Sequence, residues 1–371
     1  MTTSALQDLP RDRLFGYLLD HVRKRQGPWK SLNGGELRFV GNRALHLAGQ
    51  KEFEQLARTL ADRFENFQGT QRPMRLAVLT EQKPNAFATA PLECDGVLLT
   101  TGAFDRIQEL ARAAAYGLQT LVEQGNSDFP LVRIWGGLRV DEDALCAFGS
   151  VVAHGMTSAL VHHEIAHLVL GHEWAWRYSL DQLDGESDPN QCLELDADLH
   201  AVHFTEHYLM ERITQVPLDD DPLNRTWHIL LDDPGSRSLI VLLCVYLFLL
   251  AVTPSCGAPS MAELRTGTHP HLMVRQFLAL LVQQRWRRVA ASEAIDLVYF
   301  AAAINAGTSN AFNSGTAEEV ARTHGLYALS SDPDAVKEHI EALGKQLARY
   351  ESKLTQLMRL STEHRVRWFV A

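Results

Sequence analysis

Cysteine is scarce in this chain: Cys94, Cys146, Cys192, Cys244 and Cys256 are odd in number and widely spaced, and no CxxC pair occurs. That pattern excludes a disulfide framework and a thiolate metal cage, and it fits a reducing compartment, the cytoplasm. Positive charge is also short, with 35 Lys and Arg against 45 Asp and Glu for a formal charge of -10. Phosphate contacts need clustered cations, so no nucleic-acid partner is expected, and the group Arg285, Arg287, Arg288 reads as a solvated helix face. The N-terminus, MTTSALQDLPRDRL, lacks the basic start and unbroken apolar stretch of a secretory signal. One apolar run, Leu239 to Val252, lasts 14 residues between Pro234 and Pro254. A bilayer span needs ~20, so the run reads as a buried core helix, with a membrane-touching hairpin as the alternative.

What is present is mostly helical periodicity. The 371 residues divide into an N-terminal helical region (1–70), a central domain (71–306) and a C-terminal helical region (307–371). Helices are expected at Arg11–Arg25 and Gln50–Gln68. A small sheet follows, from Arg75–Thr80, Gly96–Thr101 and the short edge segment Asn85–Ala90. A helix is expected from Gly102 to Glu123, then a loop-rich insertion over 126–150 with one strand at Leu131–Trp135. Helices then dominate, at 156–176, 193–213, 238–252, 272–289, 294–304 and 335–360. The fold class is α+β, predominantly helical. The last helix carries an apolar stripe (Ile340, Leu343, Leu347, Leu354, Leu357) that suits packing on the body or on a second copy.

The segment His163-Glu164-Ile165-Ala166-His167 places two imidazoles at i and i+4. They lie on one helix face roughly 6 Å apart and can share a tetrahedral ion. Glu164 sits about 100° around the helix, where it can approach an attacking water as general base without ligating. The surrounding TSALVHHEIAHLVLGH is apolar, and burying imidazoles there is costly unless something satisfies them. Further on, Glu194-Leu195-Asp196-Ala197-Asp198 again puts two carboxylates on one face. Glu194 is the expected third ligand, and Asp198 the expected acceptor for the distal nitrogen of a ligating histidine. Competing third ligands are His172 and the series His200, His203, His207. The metzincin pattern fails, since Leu170 and Glu173 stand where its glycine and histidine belong. His172 reads as a support for the ligands or as exposed at the helix end, and His162 points to a different face.

The order of these motifs resembles the HtpX and CAAX-prenyl-protease type of gluzincin metallopeptidase. PNAFATAP (Pro84–Pro91) followed by GVLLTTGAF is similar to that family's edge strand and its hairpin partner. HEIAHLVLGH resembles the zinc helix, ELDAD the ExxxD ligand helix, and THPHLMVR the downstream His-Pro motif with an arginine five residues after the proline. The resemblance covers roughly residues 70 to 290. It implies a zincin-like core holding one Zn2+, His269 as the group stabilising the oxyanion, and Arg275 as a loop-fixing or acid-pairing residue. It also implies that Asn85, Ala86, Phe87 and Ala88 pair with an extended substrate. PLECD replaces the glycine-rich turn usual after NAFA, and the membrane members' paired spans are missing. The short interval from His167 to Glu194 is closer to the soluble ImmA/IrrE- and Lit-like peptidases.

These readings converge on a zinc endopeptidase of narrow specificity that acts in the cytoplasm on protein or peptide substrates. It is expected to be restrained by the 177–192 loop or the C-terminal helices. Two alternatives stand beside it: a metal-stabilised binding or regulatory protein without turnover, and a membrane-associated quality-control protease using residues 239–252.

Overall fold

The structure, a computed structural model, describes residues 74–79, 83–90, 95–136, 141–172, 189–252, 274–276, 278–279, 289–305 and 333–357. The expected N-terminal helices, the 177–188 part of the proposed restraining loop, His269 and the arginine group at 285–288 lie outside them. The described part is predominantly helical with one small sheet.

The strands are β1 (Met74–Leu79), β2 (Ala86–Thr89) and β3 (Asp95–Thr100), in the order β1-β3-β2. β1 runs parallel to the buried central β3, and β2 pairs antiparallel on its other side, with Phe87 opposite Leu98 and Ala88 opposite Val97. The chain enters α1 (Thr101–Glu123) directly from β3, because Thr100 serves both elements. Its hydroxyl accepts from the Ala103 amide as N-cap (3.2 Å), accepts from the Asn85 amide (2.9 Å) and donates to the Lys83 carbonyl (2.8 Å). One side chain thus fixes where the sheet ends, where α1 starts and where the edge strand begins.

The expected strand at Leu131–Trp135 is instead a helix, α2 (Pro130–Trp135). Pro130 stands in its first turn and Gly136 closes it in the left-handed region at φ 66°, with Leu131 and Trp135 buried one turn apart. Val132 and Ile134 imitate strand composition, but the proline and glycine punctuation decides. The insertion is also less loop-rich than its composition implies, since α3 (Glu142–Val169) begins well before residue 156. Asp141 caps it by accepting from the Ala144 amide at 2.9 Å, and Glu142 and Asp143 follow in the first turn. The glycines there are contact points: a Cβ on Gly155 would lie 2.4 Å from Cys244 Sγ, and one on Gly149 would meet the Ala111 carbonyl oxygen at 3.5 Å.

Among the described residues the body continues with α4 (Pro189–Ile213), α5 (Pro222–Leu231), α6 (Pro234–Val252) and α7 (Ala291–Asn305). The expected list lacks α5, capped by Asp221 on the amides of Leu223 and Asn224. α6 carries the apolar run and is buried continuously from Arg237 to Ala251. α3 is the centre of the body and packs on α1, α4, α5, α6 and β2. The C-terminal α8 (Pro333–Leu357) lies against α4, with Ile340, Leu343 and Leu347 buried.

Candidate metal centre

α3 and α4 run against each other, and where they meet they bring His163, His167 and Glu194 together, all buried. His163 Nε2 lies 3.2 Å from His167 Nε2 and 3.4 Å from Glu194 Oε2, and His167 Nε2 lies 3.6 Å from Glu194 Oε1. Donors bound at ~2.0–2.1 Å to one tetrahedral ion stand about 3.4 Å apart. The triangle therefore has the edge lengths of a tetrahedral coordination face, and the group is able to hold a metal ion.

The distal nitrogens explain why the Nε2 atoms face inward. His163 Nδ1 is 3.0 Å from Asp198 Oδ1, a close ionic contact in which the N–H does not aim squarely at the oxygen. Asp198 is itself gripped by Arg275, whose Nε and Nη2 donate to its two oxygens at 2.7 Å each. Such a fork-to-carboxylate pair is the strongest geometry available to these groups. Arg275 also approaches Glu194 Oε2 at 3.8 Å. His167 Nδ1 lies 3.0 Å from His172 Nδ1, and His172 Nε2 lies 3.2 Å from Asp196 Oδ2.

Burial sets the charge states. Burial pushes the Glu164 carboxyl up to about 7, and the Glu194 charge adds to this. His163, Arg275 and the Ala88 amide, which donates to Glu164, pull the other way. Burial also holds His167 well below the usual imidazole range. At His163 burial acts in the same direction but is outweighed by Asp198 and Glu194, which raise it to about 10. Asp198 stays below the usual carboxylate range because the Arg275 guanidinium overrides the effect of burial. Without an ion, the Asp198 and Glu194 charges keep a proton on His163, while His167 stays neutral; the buried Glu194 carboxylate between the two rings thus already calls for positive charge there.

Compared with known proteins, the chain matches no family model, no curated protein and no solved structure.

The remaining candidates sort by position. Asn85 immediately precedes β2, and Ala86, Phe87 and Ala88 lie on it, at the sheet edge that faces α3. The Thr100 amide donates to the Asn85 carbonyl at 3.0 Å, so alternation turns the backbone groups of Ala86 and Ala88 away from β3. The Ala86 amide donates to the Asn85 side chain at 2.9 Å. His162 faces away from the cluster and meets Thr205 Oγ1 at 2.9 Å. His172 is fully buried beside His167, which corrects the reading of it as exposed at the helix end. His200 is buried with Nδ1 donating to the Asp196 carbonyl at 2.8 Å, while the rings of His203 and His207 meet edge to face with centroids 4.4 Å apart. None of these three joins the ligand group found among the described residues. Sequence reasoning missed Asp196, whose signal was its place four residues before His200 on the face of α4 opposite to Asp198's.

Proposed function

We propose that the chain is a zinc-dependent endopeptidase with a zincin-like core, in which His163, His167 and Glu194 hold the metal. The observation that carries this reading is the Nε2–Nε2–carboxylate triangle, which coincides with an adjacent buried acid, Glu164, that is not part of it. A purely structural metal site has no need of such an acid. A two-histidine, one-carboxylate set with no thiolate favours zinc. A zinc ion bound there would supply Lewis-acid polarisation of a peptide carbonyl and of water.

The chain's own residues do the rest. Glu164, buried beside the ligand triangle but outside it, takes the proton of the attacking water and passes it to the leaving amine. Arg275 and Asp198 hold His163 in place. The β2 edge at Asn85–Ala88 binds an extended peptide through its backbone, which lies beside Glu164 because the Ala88 amide touches that carboxyl. The motif resemblance adds His269 as the oxyanion-stabilising group. The burial of α6 favours a core helix over a membrane-touching one, and the site of action in this reading is the cytoplasm, on protein or peptide substrates.

The test is metal analysis of the purified full-length chain together with Glu164→Gln and His163→Ala variants offered to a host proteome. One zinc per chain is expected in the wild type and in Glu164→Gln, with cleavage reduced at least ~100-fold in the latter; His163→Ala loses both. Undiminished cleavage by Glu164→Gln rejects its role as base. Zinc binding without any cleavage in the wild type favours the non-catalytic metal protein.

A further inference from the structure

The ligand triangle accounts for one nitrogen of each imidazole and leaves a buried chain behind His167 unexplained. We propose that Asp196, acting through His172, is a positioning residue that fixes the His167 tautomer with its Nε2 lone pair turned to the metal. The inference rests on the metal-site reading and names how one of its ligands is set.

Asp196 and His172 are both fully buried. An ionised carboxylate only accepts hydrogen bonds, so the 3.2 Å contact between Asp196 Oδ2 and His172 Nε2 needs the proton on that nitrogen. The opposite arrangement would set a lone pair against a carboxylate at a distance too short for anything to stand between them. A neutral imidazole protonated at Nε2 has an acceptor at Nδ1, and His172 Nδ1 lies 3.0 Å from His167 Nδ1. His167 must then donate from Nδ1, and its Nε2 is left as an acceptor 3.2 Å from His163 Nε2 and 3.6 Å from Glu194. One carboxylate thereby sets the proton positions on two imidazoles in series. His200 closes the far end, with Nδ1 2.8 Å from the Asp196 carbonyl and 3.4 Å from Oδ1.

The two ligating histidines are therefore oriented by different carboxylates. Asp198 reaches His163 directly, whereas Asp196 reaches His167 across an intervening ring. Substituting Asp196 with Asn removes the charge and introduces an N–H that can face His172. His172 then reverses, donates from Nδ1, and leaves His167 protonated at Nε2, where ligation is blocked.

The experiment measures zinc affinity of the full-length protein by chelator competition in wild type, Asp196→Asn, His172→Phe and the exposed control His207→Ala. It also records imidazole 15N shifts of the metal-free protein. Asp196→Asn and His172→Phe should bind zinc 10- to 100-fold more weakly, with His207→Ala unchanged. Metal-free wild type should show an unprotonated Nε2 at His167 that becomes protonated in Asp196→Asn. A His172→Gln variant and unfolding midpoints of the metal-free proteins guard against simple misfolding. Wild-type affinity in either folded variant overturns the proposal, as does an Nε2-protonated His167 in the metal-free wild type. If the wild type takes up no zinc, the metal-site reading fails on its own, and the nitrogen spectrum still decides the tautomer.

Discussion

His154 shows how burial sets a side chain's behaviour away from the site. It lies on α3 two turns before His162, with Nε2 3.1 Å from the Tyr208 hydroxyl and Trp227 edge-on to its ring at 5.0 Å. Burial, with Arg212 adding to it, lowers its pKa from 6.5 to about 4. The unfolded chain therefore takes up this proton first as pH falls. The stabilisation tied to the neutral ring is complete above 6.5 and is lost as pH drops towards 4. Allowing for the ring's partial contact with solvent, the loss between neutral pH and pH 5 is on the order of 1–2 kcal/mol. Denaturant unfolding at the two pH values should show a smaller acid penalty in His154→Phe than in wild type; equal penalties would remove the residue from the account. Residues of this kind were only half legible. The spacing of His163, His167 and Glu194 follows from helical periodicity, which a sequence displays. The links from His172 to Asp196 and from His154 to Tyr208 depend on which helix lies opposite, and no local pattern encodes that.

Elements were legible where composition and punctuation agreed. Helix α1, the core of α4 and the three strands follow their patterns closely, because apolar spacing and turn residues point the same way. The stretch from 126 to 150 was misread for a physical reason. Glycine normally marks a turn, but Gly149 stands inside α3 and lets α1 approach, and Gly155, just beyond the stretch, does the same for α6. This predicts an outcome for Gly155→Ala. Helix propensity alone would stabilise the variant by ~1 kcal/mol, but the new methyl would meet Cys244 Sγ at 2.4 Å in a buried seam. Overpacking of that kind costs ~1–3 kcal/mol and should win, lowering the unfolding midpoint. Adding Cys244→Ala removes the obstructing sulfur, so the double variant should be more stable than Gly155→Ala. A single variant at or above wild-type stability would show that α3 and α6 can separate cheaply.

Among the described residues two helices, α6 and α3, are both long and apolar enough to cross a membrane, and the rest of the chain buries 83% and 72% of their most apolar stretches. Their surfaces are already taken by neighbours, α3 by α6 among them. Fractionation without detergent should accordingly leave the protein in the aqueous phase; recovery in the membrane pellet, released only by detergent, would reverse that expectation. The sheet carries a different consequence for the assembled molecule. A three-stranded sheet with an open margin invites other chains to add to it. Along β2 the outward amide of Ala86 is occupied by Asn85 and that of Ala88 by Glu164. In the proposed reaction Glu164 turns to the attacking water and so releases the Ala88 amide to a seated peptide; until then that carboxyl keeps the margin closed to stray strands, and a chain that lost it would expose a donor ready to recruit them.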